Sequence, residues 1–117
     1  MKNQTELELK DVFAPDVHKI RTWKPNDPFD VFFLLELSIG TTIGEGADLF
    51  SVFVATPQGL SRKKNMSIKK IVVLQEYSWE SLYQKLLDII ESSAEDSWEG
   101  SVENLQKYFD WEYQGYK

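Results

Sequence analysis

Residues able to do chemistry are few in this chain, and their scarcity narrows what it can be. His18 is the only histidine in 117 residues and cysteine is absent, so no zinc cluster, thiolate nucleophile or imidazole pair can be built. Any metal would have to be held by carboxylates alone. His18 could serve as a general base, but it stands by itself in a segment introduced by Pro15, where a solvent-facing loop histidine is expected. The glycines at 40, 44 and 46 fit neither G-x-x-x-x-G-K-[ST] nor G-x-G-x-x-G and read as turn residues. No cofactor is expected. An enzyme working through carboxylates such as Glu36 or Asp48 is the most distant reading.

Charge is better organised than nucleophiles are. Residues 1–75 carry 10 Lys/Arg against 9 Asp/Glu and residues 76–117 carry 3 against 10, net +1 and −7 of the chain's −6. A surface this acidic repels phosphate backbones, so nucleic acid is not the expected ligand. The basic cluster Arg62-Lys63-Lys64 with Lys69-Lys70 lacks the interleaved aromatics of a single-strand platform and reads as a solvated loop. Helical spacing puts Glu80, Gln84, Asp88, Glu91 and Glu95 on one face and Glu99, Glu103, Gln106 and Asp110 on another. An amphipathic helix must turn something polar to water, so both faces can be merely solvated. The functional alternative is an electrostatic docking surface for a basic protein partner. Its candidate contact residues are Asp88, Glu91, Glu95, Glu99, Glu103 and Asp110.

The elements that must carry these faces follow from periodicity. Leu7, Leu9 and Phe13 alternate with polar neighbours and predict a first strand with one wet face. Pro15 and Pro25-Asn26-Asp27-Pro28 mark a connecting loop. The apolar run Val31 to Ile39 predicts a central strand, paired through the 40–46 turn with a second β-rich run, Asp48 to Ala55, that Thr56-Pro57 stops. Ile68 to Leu74 predicts a fourth strand. Beyond Tyr77 the period changes: Trp79, Leu82, Tyr83, Leu86 and Ile90 make one helical stripe behind a Ser78 cap. Trp98, Val102, Leu105 and Phe109 make another, with Asp96 and Glu99 spaced as a capping box. The expected fold class is therefore α+β: a four-stranded antiparallel sheet followed by two C-terminal helices packed on one face. Length and composition suit one domain, 1–117. No apolar stretch approaches the ~18 residues of a membrane span, nothing near Met1 resembles a leader, and the lack of cysteine favours a reducing cytosol.

Several segments in order carry a resemblance that covers most of the chain. Pro25-Asn26-Asp27-Pro28-Phe29, the run Phe32 to Gly40, Asp48-Leu49-Phe50 through Thr56-Pro57-Gln58-Gly59-Leu60, and Trp111-Glu112-Tyr113 together resemble the immunity protein 8 family. The resemblance implies a small bacterial cytoplasmic protein of the polymorphic toxin and contact-dependent growth inhibition systems, encoded beside a toxin whose domain it binds and blocks. It implies no catalytic residues, and no contact residue carries over, because such contacts vary. The competing class is a regulatory or adaptor domain for another cytoplasmic protein, and a toxin gene directly upstream separates the two.

Overall fold

The computed structural model describes residues 5–63 and 70–113. Its elements in chain order are β1 (Leu7–Phe13), β2 (Phe32–Thr41), β3 (Ala47–Ala55), α1 (Pro57–Ser61), β4 (Ile71–Val73), α2 (Trp79–Ser93), α3 (Trp98–Leu105) and β5 (Asp110–Trp111). This is an α+β fold built on a mostly antiparallel sheet. The strands run in the order β1-β2-β3-β4, and the β2–β3 hairpin is paired from Phe32↔Ala55 to Gly40↔Ala47.

Alternation along the hairpin decides where the core lies. Val31, Phe33, Leu35, Leu37 and Ile39 from one strand, with Phe50, Val52 and Val54 from the other, are all buried. Their neighbours Phe32, Leu34, Glu36 and Ser38 are only partly so. One sheet face is thus the core, and Leu82, Leu86, Ile90, Val102 and Leu105 from α2 and α3 join the same buried cluster.

The first strand departs from simple alternation. Its register on β2 slips between Leu9 and Asp11, a bulge that reverses which parity points inward. Val12 is consequently buried at 7% exposure, while Phe13, expected on the apolar face with Leu7 and Leu9, stands 57% exposed.

The far edge of β3 also differs from expectation. β4 pairs parallel to β3, not antiparallel, so the two strands are joined by a crossover and not a tight hairpin. Within that crossover α1 is a short helix. Pro57 sits at its first position, and Thr56 caps it by accepting from Gly59 N. The predicted strand residues Ile68 and Lys69 lie outside the described residues.

The second predicted helix is shorter than its stripe. α3 ends at Leu105, and its cap is Ser97, whose Oγ accepts from Gly100 N at 3.0 Å, rather than Asp96. Phe109 still reaches the core because its N–H donates to Leu105 O at 2.9 Å, continuing one tight turn. The chain then extends into β5, which pairs Phe50↔Trp111 and Ser51↔Asp110. Since β2 occupies the other side of β3, β4 and β5 share one edge of that strand end to end. Among the described residues no helix is long and apolar enough to cross a membrane.

Candidate partner-binding surface

Six carboxylates were expected to face a partner, and the fold divides them. Asp88 and Glu91 are exposed on α2, where Ser78 Oγ caps the first turn by accepting from Ser81 N at 3.1 Å. Gln84 donates to Asp88 at 2.9 Å along the same face. Glu99 and Glu103 are exposed on α3, with Glu99 in the first turn, where the helix dipole favours a negative charge.

Glu95 does not extend the α2 face. The helix ends at Ser93, and Glu95 lies in the connection to α3. Its carboxylate accepts from Asn104 Nδ2 at 3.2 Å and its backbone N–H donates to Ser101 Oγ at 2.9 Å. Ser101 is fully buried and donates in turn to Ser97 O. Glu95 therefore ties the connection after α2 onto α3.

Asp110 does not extend the α3 face either. It is a β5 residue opposite Ser51, and Ser51 is opposite Glu36. Directly paired residues share a side of a sheet, so Asp110 points away from the helical layer. There it borders a hollow of about 180 Å³ with Glu36, Leu49, Ser51 and Glu112. Of the six, the exposed carboxylates that remain on the two helices are thus Asp88 and Glu91 on α2 and Glu99 and Glu103 on α3.

The other chemically suggestive residues are mostly engaged. His18 is exposed in the loop after β1. Arg62 makes an ion pair with Asp30 at 2.6 Å, Lys63 sits 5.0 Å over the ring of Phe32, and Lys70 donates to Lys107 O at 3.3 Å. These three members of the basic cluster are spread over local contacts; Lys64 and Lys69 lie outside the described residues. Among the described residues no three His, Cys, Asp or Glu side chains converge as a metal site.

Sequence patterning missed a cleft of about 420 Å³ where the 21–28 loop meets the start of α2. Trp23, Tyr77, Trp79, Pro25 and Pro28 line it, with Arg21, Lys24, Glu76 and Glu80 around it. Trp23 meets Tyr77 at 5.3 Å and Phe33 edge-on at 5.5 Å between ring centroids, and Arg21 lies 5.2 Å over Trp79. Burial, with the nearby Glu80 carboxylate second, pushes the Tyr77 hydroxyl up to about 12. The signal available in the sequence was the density of aromatic and proline residues around Trp23 and around Tyr77, 54 positions apart, which no single-element pattern connects.

A family model described as Immunity protein 8 matches residues 7–116, essentially the whole chain. No curated protein matches, and no solved structure does.

Proposed function

Because the chain belongs to the immunity protein 8 family, we propose that it binds the toxin domain encoded beside it in a bacterial polymorphic toxin system and blocks it by occlusion, without catalysis. The toxin has a basic surface, as a nuclease does, and the encounter takes place in the cytoplasm. Nucleic acid and membrane are not direct ligands of this chain.

The observation that carries this reading is the exposure of Asp88, Glu91, Glu99 and Glu103 on two packed helices. Opposite charge across an interface speeds encounter and fixes orientation, and it requires no reactive group. The geometry supports that economy: Asp48 accepts from an indole N–H, and Glu36 sits across the sheet from Phe13 and Ser51.

The test is co-expression with the toxin domain of the neighbouring gene. Growth protection, together with a complex that survives purification, is the expected result. Failure of both would defeat the proposal.

A further inference from the structure

The cleft beside α2 holds a polar group that folding leaves unsatisfied. Tyr77 is 3% exposed, yet its hydroxyl has no hydrogen-bond partner among the described residues. Buried hydroxyls are overwhelmingly paired, so an orphan of this kind needs a reason. The ring is held by Trp23 and by Phe33, whose centroid is 5.8 Å away, and Tyr77 N donates to Pro28 O at 2.7 Å. The residue is therefore fixed at the base of the cleft by contacts that do not use its hydroxyl.

The surroundings define what could satisfy it. The walls are aromatic and proline surfaces, and the rim balances Arg21 and Lys24 against Glu76 and Glu80. A charged group entering here meets as much repulsion as attraction, whereas a neutral group with apolar surface and a carbonyl oxygen meets neither cost. The volume of about 420 Å³ is near the lower end of ligand clefts, room for two or three residues of a peptide. Arg21, Lys24, Glu76 and Glu80 are all exposed, so their side chains can rearrange as a partner seats.

We propose that this cleft receives a short uncharged segment of the toxin, with an apolar or proline side chain against Trp23 and Trp79 and a carbonyl oxygen accepting from the Tyr77 hydroxyl. The inference rests on the immunity reading and adds the anchor that reading lacks. A protein segment is the occupant because Glu80 belongs both to the rim and to the exposed α2 line Glu80, Gln84, Asp88 and Glu91. One partner surface can cover both, with a desolvated aromatic anchor at one end and charged residues beside it, as productive interfaces are built.

The experiment compares wild type with Tyr77→Phe, measuring thermal melting and titration calorimetry against the toxin domain of the neighbouring gene. Indole N–H resonances in ¹⁵N-labelled protein are followed in parallel. Expected are a melting temperature at or above wild type, affinity about tenfold weaker, the scale of one hydrogen bond, and shifts of the Trp23 and Trp79 signals on adding toxin. If wild type binds but Tyr77→Phe binds equally well and those two indoles do not move, the cleft is unused while the immunity reading stands. A variant that melts well below wild type shows that the hydroxyl serves the fold, which also overturns the inference. If wild type does not bind the toxin domain, both readings fall together.

Discussion

The indole N–H of Trp111 donates to the carboxylate of Asp48 at 2.9 Å, joining residues 63 positions apart. One residue on, Glu112 N donates to Leu49 O at 3.0 Å, and the Glu112 carboxylate accepts from Leu49 N at 2.6 Å. The Trp-Glu-Tyr segment is therefore a clasp on the edge of β3. Trp111→Ala should lower stability by about 2–4 kcal/mol, somewhat below a fully buried tryptophan because this one is half-buried. Asp48→Asn, which keeps an acceptor, should cost far less. Denaturant melts check both, and a Trp111→Ala protein of wild-type stability that fails to bind its toxin would make the aromatic an interface anchor instead.

Thr56 concentrates more hydrogen bonding than any other side chain described. Its buried Oγ1 accepts from Val31 N at 2.9 Å and Gly59 N at 3.2 Å and donates to Phe29 O at 2.7 Å. Thr56→Val preserves shape but strands these partners, so a loss of roughly 2–4 kcal/mol is expected from chemical denaturation. Gly59 is part of the same corner: a Cβ there would lie 1.9 Å from Val31 O. Gly59→Ala should fold poorly for that steric reason, and soluble yield with circular dichroism reads it directly.

Stability should depend on Tyr77 at high pH. The unfolded hydroxyl ionises near 10 and the folded one near 12, so the folded state holds its proton more tightly. Ionisation therefore leaves stability untouched below pH 10 and lowers it as pH rises toward about 12, by on the order of 2 kcal/mol. Tyr77→Phe should flatten the wild-type decline in melting temperature across that window. Parallel declines in the two proteins would remove Tyr77 as the cause.

The acidic surface predicts an interface that salt weakens. Association with the toxin domain should slow as ionic strength rises, since exposed charges are screened within about 10 Å at 0.1 M. Asp88→Lys with Glu91→Lys, set against Glu99→Lys with Glu103→Lys, locates the docking face. The contacting pair should lose about 2–5 kcal/mol of affinity where its charges are desolvated, and mainly on-rate where they are not. Glu99→Lys also opposes the α3 dipole at a cost of about 0.3–1 kcal/mol to the helix, so melts accompany the binding data. Two double variants that bind and protect like wild type would mean that these faces are only solvated.

Neither chelator nor reductant should move the melting temperature by more than a degree or two. The chain has no cysteine and a single histidine, which is exposed. A marked drop with chelator would reveal a carboxylate-held metal that supports the fold.

Local physics was legible in the residues themselves. The apolar run from Val31 to Ile39 identified the central strand, the 3.6-residue stripe identified α2, and Ser78 marked its start, because each depends only on neighbours within a few positions. The one-sided packing of helices on a mostly antiparallel sheet followed from the order of the elements. Where local and tertiary preferences competed, tertiary structure decided. The helical stripe runs through Phe109, but the free edge of β3 beside Ser51 offered Asp110 and Trp111 backbone partners that a longer helix could not use. A bulge after Leu9 turned Phe13 outward, and a crossover made β4 parallel. The same long-range pairing moved Asp110 to the opposite side of the sheet, and Asn104 drew Glu95 into the joint between helices. The cleft exists only because the 21–28 loop folds back onto the start of α2, bringing Trp23 to Tyr77 across 54 positions, a distance over which no periodic pattern carries information.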